Sequence, residues 1–190
     1  MSLRHLAQED DTLYRQLEKT TTDEEGLVLV NGPTGSGKTT TLYSLLNHCV
    51  VHAERHVITL EDPVEHPQQN LLQVQVNERT GLTYATGLRA ILRHSPNVIM
   101  IGEIRDAETA QTAVRAALSG HLVFSTVHAK DTEGAIYRMM DFRLSKEELR
   151  QTIVTLMSQR LHSKGSHRYA SFHIVQDQAL EQLFERIETS

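Results

Sequence analysis

Gly32-Pro33-Thr34-Gly35-Ser36-Gly37-Lys38-Thr39 decides the fold of this chain. The spacing is G-x-x-x-x-G-K-[ST], and the stretch stands between an apolar run and a helical pattern. Leu27 to Val30 is the continuous apolar run of a strand buried on both faces. The residues from Lys38 to about Val50 read as a helix. Glycines let backbone N–H groups turn inward and approach a phosphate without a Cβ in the way. The helix N-terminus adds the positive end of its dipole. Lys38 places a cation at the β- and γ-phosphates, and the Thr39 hydroxyl suits Mg²⁺. Gly32 through Thr40 is therefore the candidate nucleotide-binding segment, with Thr39 a candidate metal ligand.

The stretch indicates a nucleoside triphosphate. The base-reading N-K-x-D motif is absent, and Ala129-Lys130-Asp131 matches it only superficially, so ATP is the expected nucleotide. Outward from the loop, apolar runs alternate with helical patterns. His56–Leu60, Asn97–Ile101 and Leu122–Thr126 read as buried strands, and Gln73–Asn77 as a half-buried one. Thr83–His94 and Asp106–Leu118 read as helices, as does a segment from Ser145 with Glu148 three residues on, extended to about Arg160. Arg168–Val175 reads as a late strand and Gln178–Ile187 as a closing helix. This order predicts an α/β fold with a mostly parallel sheet and helices on both faces. Residues 1–25 read as a polar helical lead-in with a thin stripe of Leu3, Leu6, Leu13 and Leu17, and residues 26–190 as the main domain.

With 190 residues and 39% hydrophobic content, the chain is long enough to bury a core without staples. One cysteine, Cys49, excludes a disulfide framework and a four-cysteine zinc site. No apolar run approaches the ~20 residues of a membrane span, and no signal peptide is visible, so the cytoplasm is the expected compartment. The net charge of −5 argues against a surface that grips nucleic acid throughout. His48, His52 and His56 are four apart, but His56 opens a strand, so they are not expected to share a helix face.

Open α/β sheets hold ligands beyond the carboxyl ends of their strands. Glu103 follows Val98-Ile99-Met100-Ile101-Gly102 and would there hold a metal-bound water or orient an attacking water. Glu61, Asp62 and Glu65 follow another strand, and form either part of the same lining or a solvated turn. Thr126 and His128 leave the strand after Gly120-His121, with the γ-phosphate as their candidate contact, whereas His121 sits at the other end and reads as structural.

Taken together, these segments resemble the secretion ATPases of type II secretion and type IV pili. The matching pieces are the loop through Tyr43, Glu61-Asp62-Pro63-Val64-Glu65, and Leu88-Arg89-Ala90-Ile91-Leu92-Arg93 leading into Gly102-Glu103-Ile104-Arg105-Asp106-Ala107-Glu108-Thr109. Gly120 to His128 and Gln159-Arg160-Leu161 complete the order. The resemblance implies a RecA-like P-loop core, a homo-hexameric ring, and a location at the cytoplasmic face of the membrane beside a platform protein. It implies that Lys38 and Thr39 bind phosphate and Mg²⁺, that Glu103 and Glu61 handle Mg²⁺ and water, and that His128 reads the γ-phosphate. Arg89, Arg93 and Arg105 are candidate charge stabilisers, some of them acting across a subunit boundary.

The departures narrow the branch. The family's Q-D-P-D is His94-Ser95-Pro96-Asn97 here, which removes two carboxylates. One cysteine cannot build the four-cysteine subdomain of many assembly members, which favours the compact assembly ATPases of competence pseudopili. Retraction ATPases also lack those cysteines and remain the alternative within the family. The family's N-terminal domain has no counterpart in the 25 residues before the first strand. A P-loop small-molecule phosphotransferase is the alternative from another class, although no arginine-rich lid is visible. Direct contact with nucleic acid is not expected.

Overall fold

The computed structural model describes residues 1–165 and 167–188. One sheet carries seven strands: β1 (Gly26–Asn31), β2 (Val57–Glu61), β3 (Leu72–Gln75), β4 (Val98–Glu103), β5 (Leu122–Val127), β6 (Ile153–Lys164) and β7 (His167–Gln176). Their order is β3-β2-β4-β5-β1-β6-β7, and every neighbouring pair is parallel except β6 with β7. The α/β reading holds.

Strand alternation divides the core in two. Leu27 and Leu29 of β1, Ile99 and Ile101 of β4, and Val123 and Val127 of β5 face one layer. That layer is built by α4 (Tyr84–Ile91), α5 (Ala107–Leu118), α6 (Thr132–Asp141), α7 (Lys146–Thr152) and α8 (Asp177–Glu188). Val28 and Val30, Val98 and Met100, and Leu122 and Phe124 face the other layer, built by α1 (Leu3–Ala7), α2 (Asp11–Thr22) and α3 (Lys38–Ala53). Central strands covered on both faces need apolar residues at every position, which is why they read as unbroken runs.

Four local readings change. The lead-in is two helices, because Gln8 and Glu9 adopt positive φ and Asp10 then caps α2 by accepting from Thr12 N and Leu13 N. The helix expected to stop near Val50 runs to Ala53, so His48 and His52 do share it, with ring centroids 4.4 Å apart; His56 lies beyond it. Residues 132–141, which had not been assigned, form α6: Asp131 caps it and Ala135, Ile136 and Met139 bury its inner face. The segment expected as helical from Ser145 to Arg160 is helical only to Thr152. Ile153, Val154 and Thr155 are β-branched, and β6 gains a parallel partner in β1 and an antiparallel one in β7. The late strand and closing helix are present as β7 and α8.

The N-terminal helices are part of the second core. Leu3, Leu6 and Leu17 are buried with Leu42, Leu45 and Cys49 of α3. Burial pushes the Cys49 thiol up to about 12, which leaves it protonated and unreactive. Leu17→Ala is expected to cost about 2–5 kcal/mol, as for other fully buried leucines. Urea denaturation measures it; a loss no larger than that of exposed Arg15→Ala would show that α2 does not share the core.

Candidate functional site

The loop leaves β1 and enters α3 at Gly37, which caps the helix with φ +87°. Gly35, at φ +76°, is also left-handed, and both conformations favour glycine. Lys38 is buried, and its Nζ donates to Gly32 O at 2.9 Å and Pro33 O at 3.1 Å. Burial lowers its pKa, and the charge of Glu103 opposes that shift. Two buried hydroxyls beside the loop, Ser36 Oγ and Thr41 Oγ1, have no hydrogen-bond partner. Buried polar atoms of that kind are costly unless a ligand, water or rearrangement satisfies them.

A cleft of about 500 Å³ opens beside the loop, at the carboxyl ends of β2, β4 and β5. Thr34, Gly35, Gly37, Lys38, Thr39 and Thr40 line one wall. Gly32 and Pro33 lie behind that wall, and Ser36 is buried beneath it. Across the cleft stand Glu61, Glu103, Arg105, Thr126 and His128. The sheet thus gathers residues more than 60 positions apart around one cleft. Asp62 and Glu65 also line it, which favours the lining over the solvated turn. Arg89 and Arg93 are exposed on α4 and the short 3₁₀ turn that follows it, outside the cleft. His121 is at the far end of β5, its Nδ1 3.2 Å from Ala116 O.

The two glutamates are held differently. Glu61 is buried and surrounded by neutral donors: Thr59 Oγ1 at 2.6 Å, Gln73 Nε2 at 3.0 Å, and the Tyr43 hydroxyl. Burial, and next the bond to Glu61, raises the Tyr43 pKa, so this hydroxyl stays a donor. Glu103 lies at a break in the β4–β5 register between Ile101 and Glu103. A bulge of this kind re-aims a side chain at the end of a strand. Thr126 Oγ1 fixes it by donating to Gly102 O at 2.9 Å. Arg105 Nε and Nη2 each lie 2.8 Å from Glu103 Oε2, and His128 Nε2 lies 2.9 Å from Oε1. The Arg105 side chain is 64% exposed, so solvent screens this pair and makes it easy to exchange for another anion.

The sequence reading missed Tyr43, Thr59, Gln73 and Tyr84. Tyr84 lines the cleft from α4, and burial pushes its hydroxyl up to about 12. Tyr43 closes the matching stretch that starts at the loop but was given no role there, and no motif announces the other three; they matter through contacts that only the folded sheet creates. Among the described residues no group of three His, Cys, Asp or Glu side chains is placed to hold a metal by itself.

The sequence family described as Type II/IV secretion system protein matches residues 1–187. Competence protein ComGA of Bacillus subtilis is 55% identical over 136 residues, covering 72% of this chain and 38% of that protein. Type II secretion system protein E of Klebsiella pneumoniae is 48% identical over 149 residues, covering 78% of this chain and 30% of that one. The chain thus spans well under half the length of either relative. Among solved structures, the pilus retraction motor PilT with bound ADP has a TM-score of 0.83 at 32% identity, over 100% of this chain and 58% of that one. The Legionella pneumophila ATPase DotB has a TM-score of 0.75 at 27% identity, over 93% of this chain and 51% of that one. The expected RecA-like P-loop core is therefore the fold observed. Sequence match and cleft geometry agree, and the chain belongs to the type II/IV secretion system protein family.

Proposed function

We propose that this chain is the ATP-hydrolysing core of a motor that powers assembly of a pilus-like fibre, for DNA uptake or type II secretion. One observation carries the reading: Lys38, Glu61, Glu103, Arg105 and His128 converge on one cleft beside the phosphate loop. The 55% identity over 136 residues to a competence protein supports the assembly reading, and the structural likeness to a retraction motor keeps retraction as the alternative within the family. No helix of the described residues is long and apolar enough to cross a membrane, so the proposed place at the inner membrane face rests on a platform protein.

In this reading the loop N–H groups and the α3 N-terminus take the phosphates of ATP. Lys38 Nζ exchanges the carbonyls of Gly32 and Pro33 for β- and γ-phosphate oxygens. The Thr39 hydroxyl and the Glu103 carboxylate are hard oxygen donors, and with phosphate oxygens and water they fit Mg²⁺. Mg²⁺ would neutralise charge developing on the transferred phosphoryl group. Glu61, fixed by three donors, and Glu103 orient the attacking water. His128 and Arg105 leave Glu103 to contact the γ-phosphate. Arg89 and Arg93, exposed and outside the lining of their own cleft, would in this reading serve a neighbouring subunit of a homo-hexameric ring. An arginine supplied in this way is worth about 10³–10⁵ in rate in related phosphoryl-transfer systems.

Lys38→Ala is expected to weaken binding of a fluorescent ADP analogue by roughly 10- to 100-fold, the range for losing a charge-assisted contact. Parent-like affinity would exclude Lys38 from the phosphate site. Glu103→Gln keeps shape and removes charge, so it should retain nucleotide affinity and lose turnover; equal hydrolysis by variant and parent would remove Glu103 from the mechanism. Mg²⁺-ATP turnover per subunit, with Lys38→Ala as blank, should rise with protein concentration as sites are completed between subunits. Flat turnover would indicate a self-contained enzyme and favour the phosphotransferase alternative.

A further inference from the structure

We infer that Gln159 is a positioning residue of the phosphate loop, one that holds the loop in its binding shape from behind. The assignment extends the nucleotide reading given above. It starts from register. β6 runs parallel to β1, with Val30 opposite Met157 and Asn31 opposite Ser158. Asn31 Nδ2 donates to Ser158 Oγ at 2.7 Å, and Ser158 Oγ donates to Asn31 Oδ1 at 3.0 Å, which fixes that last pair. The next residues on the two strands are Gly32 and Gln159. A slip of one residue would turn Gln159 to the opposite face of the sheet.

Gln159 is buried, at 2% exposure, and its Nε2 donates to Ser36 O at 2.7 Å. The carbonyl and N–H of one planar peptide unit point in opposite directions. Drawing the Ser36 carbonyl towards β6 therefore turns the Gly37 N–H away from β6. That N–H stands at the α3 N-terminus, in the wall of the cleft. Gln159 also sets how closely the loop packs. A Cβ at Gly32 would lie 2.4 Å from Gln159 O, and one at Gly37 would lie 3.1 Å from Gln159 Nε2.

Lys38 ties the same loop through the carbonyls of Gly32 and Pro33. Those ties are lost when its ammonium turns to a phosphate. The bond from Gln159 goes to a different carbonyl, that of Ser36. Moving Lys38 does not remove that bond, so in this reading it keeps the loop preorganised in the bound state.

The test compares the 190-residue chain with Gln159→Leu and with Gln159→Glu, which has nearly the same shape but puts an acceptor where the donor was. Amide hydrogen exchange of the nucleotide-free proteins is followed over residues 32–38, and ADP affinity is measured with Mg²⁺ present. The expected result is faster exchange confined to the loop, parent-like protection in β1, β4 and β5, and ADP bound roughly ten-fold more weakly, the scale of one buried hydrogen bond. Unchanged loop exchange overturns the assignment. So does faster exchange spread over the whole sheet, which marks a residue that supports only the fold. A parent chain that binds no ADP would refute the nucleotide reading, and the exchange comparison would still decide the role of Gln159. If Gln159→Leu does not fold, Gln159→Met, which keeps the length of the side chain, adds no charge and has no donor, supplies the same comparison.

Discussion

A Cβ at Gly32 has no room, because the main chain of β6 passes directly against it. This close approach of the β6 end to the start of the loop is the constraint on which the cleft depends. It requires β1 to be a central strand, with β5 on one side and β6 on the other. It requires the β1–β6 register, which buried Asn31 and half-buried Ser158 lock. With β1 fixed in this way, α3 starts at Lys38 behind its cap Gly37, and the cleft lies between its first turn and the ends of β4 and β5. Glu103, Thr126 and His128 are there because those strands end level with the loop.

The two carboxylates show how the cleft separates fixed charge from exchangeable charge. Glu61 is enclosed by neutral hydroxyl and amide donors on β2, β3 and α3. Neutral donors hold an anion in place without cancelling its charge. Glu103 instead faces Arg105 and His128, whose side chains are largely open to water. Exposed pairs of this kind contribute little to stability, commonly about 0–1 kcal/mol. Their value lies in what they can release. In the proposed function, a phosphate that takes Arg105 and His128 from Glu103 leaves in place the separate donors that hold Glu61.

The central sheet was legible in the sequence because a strand buried on both faces leaves an unbroken apolar run, and four of these runs stand in β1, β2, β4 and β5. The loop was legible because its chemistry tolerates few residue types. The helices of the second half were less so. Ser145 to Glu148 is a true helix start, but nothing local announces the stop at Thr152; partners on both sides of β6 impose it. α6 was missed although Asp131 caps it, since its buried face is only Thr132, Ala135, Ile136 and Met139, and Gly134 and the exposed Tyr137 blur the pattern. In the cleft, Lys38, Glu61, Glu103, Arg105 and His128 were named in advance. Tyr43, Thr59 and Gln73 were not, because their role lies wholly in bonds to Glu61 across three elements. Arg89 and Arg93 were named and lie outside the cleft, since α4 packs Leu88 and Ile91 inward and leaves Arg89 exposed, and the 3₁₀ turn after it leaves Arg93 exposed.

The N-terminal helices follow the same physics. Several polar contacts tie them to the C-terminal part: Gln8 Nε2 donates to Ala170 O at 2.7 Å, Gln176 Nε2 donates to Gln16 O at 3.4 Å, and Lys19 pairs with Asp177. All three are exposed or partly so, and together they would not hold two short helices against the loss of chain entropy. Burial does. Leu3, Leu6, Ala7 and Leu17 are enclosed by α3 and the sheet, and full burial of each leucine contributes about 1.5–3 kcal/mol. α3 is the helix that begins at Lys38, so the apolar contacts that seat α1 and α2 also press on the element that carries the lysine of the loop. The surface contacts then set orientation: Gln8 meets β7 at Ala170, on the hairpin whose first strand carries Gln159 to the loop.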